Sequence, residues 1–272
     1  MRVNVCWMFC ALVCLGANHI LAQSRSVRPL EHAHAHNDYE HPRPLLDALD
    51  HGFTSLEADV YLVDGELLVA HDFNKVSKSR TLESLYLGPM SQLVREHGGK
   101  VFPDGPVVTL LVDIKRDGKA AYVVLDKLLQ SYESMISVTR DGVFAEKAIT
   151  VVVSGDRPIP QIIASNPRFV GFDGRLGDLD SEHPASLMPL VSDNWTLHFK
   201  YRGSGDFNQV ERSKLKDIIT KAHDKGRRVR FWATPESQPI WTELLAARVD
   251  LIGTDRLSQL ADFLRNAPQP KP

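Results

Sequence analysis

The chain has 272 residues, 43% hydrophobic and 24% charged, with a formal net charge of −2 at pH 7. That is ordinary globular composition, long enough for one large domain with its own core. The near-zero balance excludes bulk electrostatic attraction to nucleic acid, and the local basic run Lys225-Gly226-Arg227-Arg228 reads as a solvated turn between a helix and a strand.

The first 22 residues read as a signal peptide, with Met1-Arg2 as a positive start and an apolar stretch over 5–16 too short to span a bilayer comfortably. His19-Ile20-Leu21-Ala22 then offers a small residue before a cut at Gln23. Cleavage there implies export, periplasmic or secreted. A lipoprotein signal at Ala11-Leu12-Val13-Cys14, which Val13 fits poorly, and an uncleaved anchor are the alternatives. Cys6, Cys10 and Cys14 all lie in this leader. A mature domain over 23–267 then has no disulfide, no cysteine nucleophile and no thiolate metal site. No later apolar run approaches membrane-spanning length, and the tail 268–272 is expected to be disordered.

Beyond the leader, strands are predicted at 31–36, 55–62, 107–115, 148–154, 169–172, 187–192, 228–233 and 250–253, with an extra short one at 67–71 after the Asp64-Gly65 turn. Helices are predicted between them at 44–50, 81–97, 120–132, 207–225, 235–247 and 255–265, with shorter ones after the fourth and fifth strands. Alternating strands and helices point to a parallel α/β architecture. Eight principal strands at this length suit a (β/α)₈ TIM barrel in one domain. A doubly wound sheet is the alternative, but no glycine-rich phosphate loop supports it.

A barrel gathers its active site at the C-terminal ends of its strands. Polar residues that interrupt apolar strands converge there: His36, Glu57, Asp59, Asp113, Lys115, Asp173, Trp232, Thr234 and Asp255. Glu57 and Asp59, two apart on one strand, share a face. Their neighbours Leu56, Ala58, Val60 and Leu62 mark the other face as buried, so the two carboxylates are expected to face the barrel interior or mouth, where one cation can bridge them. Asp113 and Lys115 repeat the spacing inside Leu110-Leu111-Val112-Asp113-Ile114-Lys115. Either they form a structural ion pair, or Asp113 is a third metal carboxylate and Lys115 faces phosphate oxygens. His36 ends the first strand, with His34 and His32 as supporting residues, and His71 follows the carboxylate strand. Both catalytic candidates titrate near neutral pH. Metal carboxylates with two histidines for proton transfer form a kit for cleaving a phosphodiester.

These residues carry a family resemblance. His36-Asn37, Glu57-Ala58-Asp59, Asp64-Gly65, His71-Asp72 and Thr81-Leu82-Glu83-Ser84-Leu85 resemble the glycerophosphodiester phosphodiesterases and the wider phosphatidylinositol-phospholipase-C-like barrel superfamily. His34-Ala35-His36-Asn37-Asp38-Tyr39, Phe172-Asp173-Gly174-Arg175, Arg230-Phe231-Trp232-Ala233-Thr234-Pro235 and Gly253-Thr254-Asp255-Arg256-Leu257 are similar to the branch of altered inheritance of mitochondria protein 6. The resemblance implies a (β/α)₈ barrel, one divalent cation, Mg²⁺ or Ca²⁺, and two histidines as acid and base. Carried over by position, His36 and His71 are catalytic, and Glu57 and Asp59 are metal ligands. The third carboxylate, commonly Glu in glycerophosphodiesterases, is Asp113 here. Asp113 with Lys115 resembles venom sphingomyelinase D, a comparison that also suits Trp232 as an aromatic wall. Asn37, a substrate-binding candidate, stands where an arginine usually contacts phosphate, so that contact is neutral and weaker here and the site is expected to rely more on Lys115 and Arg175 for charge. The implied substrate is a small-molecule or lipid phosphodiester, attacked by water or by a neighbouring substrate hydroxyl. The rival readings are an amidohydrolase-like metal hydrolase and a barrel that binds metal without turnover. The first would want histidines where Asp173 and Asn194 stand.

Overall fold

The computed structural model describes residues 27–267. The expected leader with Cys6, Cys10 and Cys14, and the expected disordered tail, lie outside the described residues.

Eight parallel strands close into a barrel. They are β1 (Leu30–Ala35), β2 (Phe53–Val63), β4 (Val108–Ile114), β7 (Ile149–Gly155), β8 (Val170–Gly174), β9 (Leu190–Asn194), β10 (Arg228–Trp232) and β11 (Leu251–Thr254). The ring closes where β1 pairs with both β2 and β11, through His34 opposite Ser55 and His34 opposite Gly253. A ninth strand, β3 (Glu66–Val69), folds back antiparallel on β2 and carries the chain to His71. The helices are α1 (Leu46–Asp50), α2 (Gly88–Glu96), α3 (Gly118–Gln130), α4 (Ile159–Ala164), α5 (Trp195–His198), α6 (Gln209–Asp224), α7 (Gln238–Ala246) and α8 (Leu257–Asn266). Among the described residues no helix is long and apolar enough to cross a membrane.

The strands form because their apolar residues supply both faces. Outward residues such as Leu56, Ala58, Val60, Leu110, Val112 and Ile114 join the large core beneath the helices, which includes Leu125 and Leu129 of α3. Inward positions build a separate small cluster of Leu111, Val152, Leu190 and Leu251 at the barrel's waist. Two residues further along β4 and β7 the inward positions become Asp113 and Ser154, which are register partners.

Three local features differ from or refine expectation. The predicted helix over 81–97 forms without a break over 82–96, but it opens with a π-turn at Glu83–Leu87 before α2. Pro89 has no N–H to offer the preceding turn, so one rung of the hydrogen-bond ladder is missing there. A hairpin, β5 (Val138–Arg140) with β6 (Val143–Ala145), stands where no strand is expected. Its turn residues Asp141 and Gly142 have φ of 51° and 80°, the left-handed pair that a two-residue hairpin needs. Finally, the basic run at 225–228 is not a solvated turn. Arg227 is buried and donates to the backbone carbonyls of Asp178, Leu179, Ser181 and His183, so it fixes the loop before β9.

Candidate active site

The charged interior begins just above the waist. Glu57 of β2 is 5% exposed. Its Oε2 accepts from Arg230 Nη2 at 3.0 Å and from His34 Nε2 at 3.2 Å. Burial alone would raise the Glu57 pKa, but the Arg230 charge and the His34 hydrogen bond hold it well below the usual carboxylate range. Burial and Arg230 also lower His34 to about 4, so that imidazole is neutral at pH 7. Its contact with Glu57 is therefore a hydrogen bond, not an ion pair. Ser55 Oγ, 2.8 Å from His34 Nδ1, completes the ring's partners.

Asp59 sits one pleat higher and is 1% exposed. Three groups crowd its Oδ2: the Tyr39 hydroxyl at 2.6 Å, Lys115 Nζ at 2.7 Å and His71 Nδ1 at 3.2 Å. Its Oδ1 is buried with no partner among the described residues. Burial and the Glu57 charge push Asp59 up to about 6, against the pull of Lys115. Across the barrel wall Asp59 is the register partner of Asp113, whose Oδ1 lies 3.3 Å from Lys115 Nζ. Gly155, next on the neighbouring strand, makes room for that carboxylate: a Cβ there would lie 2.4 Å from Asp113 Oδ1. Burial pulls the Lys115 pKa down, but the Asp113 and Asp59 charges raise it further, so Lys115 stays protonated.

One oxygen from each of Glu57, Asp59 and Asp113 lies within 4.8 Å of the others. Each carboxylate also spends one oxygen on a cationic neighbour: Glu57 Oε2 on Arg230, Asp59 Oδ2 on Lys115 and Asp113 Oδ1 on Lys115. The unpartnered Asp59 Oδ1 in an all-oxygen donor set fits a hard divalent cation.

Two histidines flank this triad, on loops set by different strands. His36 follows β1, and its Nδ1 lies 2.8 Å from Asp255 Oδ1 beyond the end of β11. A carboxylate only accepts, so His36 Nδ1 carries the proton and Nε2 is left for chemistry. Burial lowers the His36 pKa, but the Asp255 hydrogen bond and the Glu57 charge more than offset it, and the net shift is upward. His71 follows β3, about half exposed, with Nδ1 3.1 Å from the Tyr39 hydroxyl. Asn37 turns the chain between these groups in the left-handed region, φ 48° and ψ 35°, which asparagine tolerates.

The expected substrate residues fall differently. Lys115 is at the triad. Asn37 has both ends of its amide engaged, Nδ2 toward Asp255 at 3.3 Å and Oδ1 accepting from Tyr39 at 2.7 Å. Arg175 Nη1 bonds Asp173 Oδ2 at 2.8 Å and the Gly174 carbonyl at 2.9 Å, with Nη2 3.5 Å from Ser154 Oγ. Trp232 ends β10 opposite Asn194 and is 39% exposed. Sequence reasoning did not single out Arg230 or Tyr39. An arginine two residues before Trp232 on an inward face was the available signal for the first. For Tyr39, nothing short of the folded turn shows that it reaches Asp59. A cavity of about 1050 Å³ opens at the opposite end of the barrel among Arg28, His32, Lys100, Lys147 and Arg228, and none of the triad or flanking histidines lines it.

The family model described as "AIM6-like phosphodiesterase domain" matches residues 22–173, more than half of the chain. The chain belongs to this family. The match to the AIM6-like phosphodiesterases spans His36, the carboxylate triad, His71, Lys115 and Asp173, so the metal-type cluster lies inside it. An "Altered inheritance of mitochondria protein 6 homolog" from Arthroderma benhamiae is 27% identical over 266 residues, covering 85% of this chain and 83% of the relative. The "Altered inheritance of mitochondria protein 6" of Eremothecium gossypii is 27% identical over 288 residues, covering 91% of this chain and 73% of the relative. Among solved structures, a glycerophosphodiester phosphodiesterase from Parabacteroides distasonis superposes with a TM-score of 0.53 at 14% identity, over 88% of this chain and 98% of that one. That likeness confirms the barrel fold.

Proposed function

We propose that this AIM6-like phosphodiesterase domain is a metal-dependent phosphoric diester hydrolase working by two-histidine acid–base catalysis. The observation that carries the reading is the convergence of three carboxylates, within 4.8 Å, between two histidines tethered through Nδ1. Glu57, Asp59 and Asp113 would hold one Mg²⁺ or Ca²⁺. When bound, that cation offsets negative charge on the phosphate oxygens as it builds at phosphorus.

The chain's own groups supply the rest. Lys115, protonated and partly exposed, binds a nonbridging phosphate oxygen. His71 Nε2 takes the proton of the attacking water or substrate hydroxyl. His36, whose Asp255 partner favours the charged ring, gives a proton from Nε2 to the leaving alkoxide. One proton is taken and one is given, so the pair returns to its starting state after proton exchange. Arg175 borders the site through Asp173 and Ser154, and Trp232 offers an apolar wall to one of the two alcohol groups. A small-molecule or lipid phosphodiester with some apolar body suits this surface better than a highly polar glycerophosphodiester. Export through the leader at 1–22 belongs to the same reading, and N-terminal sequencing of protein from its native host tests it.

The deciding experiment is hydrolysis of a chromogenic phosphodiester by metal-loaded protein, by chelated protein and after return of Mg²⁺ or Ca²⁺. Hydrolysis that disappears and returns with the cation supports the assignment. Full hydrolysis in chelator overturns the metal's role, and no hydrolysis of any diester in a broad panel supports the rival barrel that binds metal without turnover.

A further inference from the structure

One buried hydroxyl joins the two histidines. Starting at His36 Nδ1, contacts run to Asp255 Oδ1 at 2.8 Å, from Asp255 to Asn37 Nδ2 at 3.3 Å, from Asn37 Oδ1 to the Tyr39 hydroxyl at 2.7 Å, and from that hydroxyl to His71 Nδ1 at 3.1 Å. The Tyr39 hydroxyl also donates toward Asp59 Oδ2 at 2.6 Å. Tyr39 is 1% exposed, and the Arg80 guanidinium holds its backbone carbonyl. The ring is therefore fixed from both ends, whereas His71 is about half exposed and has few other restraints.

Donor bookkeeping then sets the protons. Asp255 only accepts, so Asn37 must present its NH₂ to Asp255 and its carbonyl oxygen to Tyr39. The single phenolic proton faces two acceptors, Asn37 Oδ1 and Asp59 Oδ2. Were it turned toward His71 instead, both short contacts would set oxygen lone pairs against each other. Tyr39 thus offers His71 only a lone pair, and Asp59 Oδ2 offers only another. His71 must carry its proton on Nδ1 and leave Nε2 open.

We infer that Tyr39 is a positioning residue, coupled through Asn37 to Asp255, that sets the tautomer and orientation of His71 and links its alignment to that of His36. The inference rests on the phosphodiesterase reading for its effect on turnover, but not for its effect on the ring protons. Asn37 serves here as a strut between the two histidines rather than as a phosphate contact.

The test uses metal-loaded protein with ¹⁵N-labelled histidine. In the wild type, His71 shows a protonated Nδ1 and a bare Nε2. Tyr39→Phe removes one oxygen, moves His71 toward a mixture of tautomers and lowers kcat about 10–100-fold, as loss of an outer-shell partner does elsewhere, with KM nearly unchanged. Asn37→Gly removes the strut while suiting the positive φ. It lowers kcat similarly, and the two changes combined cost less than the product of their separate effects, because both act through one chain. Tyr86→Phe, which removes another buried tyrosine hydroxyl, bonded to Asp38, leaves the His71 signature and kcat as they were. A wild-type His71 protonated on Nε2, or a Tyr39→Phe protein with unaltered tautomer and kcat, overturns the inference. So does an Asn37→Gly protein that raises KM alone, or a Tyr86→Phe protein that matches Tyr39→Phe in both readouts. Absence of hydrolysis by wild-type protein would instead refute the phosphodiesterase reading and leave the tautomer result standing.

Discussion

The interior of this barrel changes character within one pleat. At the waist, Leu111, Val152, Leu190 and Leu251 meet as an apolar cluster drawn from β4, β7, β9 and β11. Two residues further on, the same strands present Asp113, Ser154, Ser192 and Gly253, while Glu57, Asp173 and Arg230 on the intervening strands are the register partners of Leu111, Leu190 and Leu251, and Asp59 is the partner of Asp113. The waist follows the ordinary rule that interiors are apolar. The mouth breaks it, burying carboxylates and cations whose removal from water costs several kcal/mol each. Pairing offsets much of that cost at Glu57–Arg230 and Asp59–Lys115, but Asp59 Oδ1 and Asp173 Oδ1 have no partner among the described residues. A fold that leaves single carboxylate oxygens buried without a partner beside an apolar plug divides its interior between two kinds of residue. The waist packs the barrel shut, and the mouth gathers its charges.

Substitutions in the two zones should therefore diverge, and the widest divergence lies at the triad. Glu57→Gln and Asp113→Asn keep the side-chain volume but would weaken the hold on the proposed cation, whose contribution at the transition state would be several kcal/mol. Turnover should fall by about a thousandfold or more, and the thermal midpoint measured in chelator should not fall with it for Asp113→Asn. Wild-type turnover in either protein would break the division at its most exposed point.

Next in size are the two histidines proposed for proton transfer. His36→Ala and His71→Ala should each lower kcat by about a hundredfold or more, with circular dichroism and thermal midpoint close to wild type. Asp255→Asn sharpens the assignment of roles. Losing that carboxylate removes the support that raises the His36 pKa. An acid must be protonated to act, so activity falls as pH rises through its pKa, and the alkaline limb of kcat should move to lower pH. An alkaline limb that stays in place would take the acid role away from His36.

A smaller effect is expected at Trp232, on the rim of the mouth. Trp232→Ala should change the ranking of kcat/KM across a head-group panel by about tenfold, the scale of losing one apolar contact. Glycerophosphocholine as the best substrate, with Trp232→Ala silent throughout the panel, would show that the tryptophan is not a pocket wall.

The contrast between waist and mouth also explains what the sequence made legible. Alternation in Leu110-Leu111-Val112-Asp113-Ile114-Lys115 announces a strand with two differing faces, so the eight barrel strands and the clustering of Glu57, Asp59 and Asp113 could be anticipated. Local pattern carried that information. Contacts that depend on chain closure were not legible. Arg230 meets Glu57 across 173 positions of sequence, and Asp255 meets His36 across 219. Tyr39 reaches Asp59 only because Asn37 adopts a left-handed turn. Where local signal did exist, as in the Asp141-Gly142 hairpin turn, the error lay in weighing hydrophobic period above turn chemistry.

The least effect on turnover should come from the waist, and there the comparison is cleanest. Leu111 lies between Thr109 and Asp113 on one strand, fully buried, one pleat below Asp113 and opposite Glu57 in register. Leu111→Ala removes apolar contacts from a four-residue cluster that has no polar member. The cost should be about 2–5 kcal/mol of folding stability, from lost transfer energy plus the cavity left behind. Urea denaturation of the metal-free protein reads that loss directly. The side chains of Glu57, Asp59 and Asp113 are held by Arg230 and Lys115, and the backbone pairing of Leu111 with the Glu57 strand does not depend on the leucine side chain, so kcat per folded molecule should match wild type at a temperature where the variant remains folded. If Leu111→Ala instead lowered kcat by as much as His36→Ala while remaining folded, the waist would be part of the catalytic frame. The two zones would then act as one unit, with the apolar plug setting the carboxylate spacing that the mouth depends on.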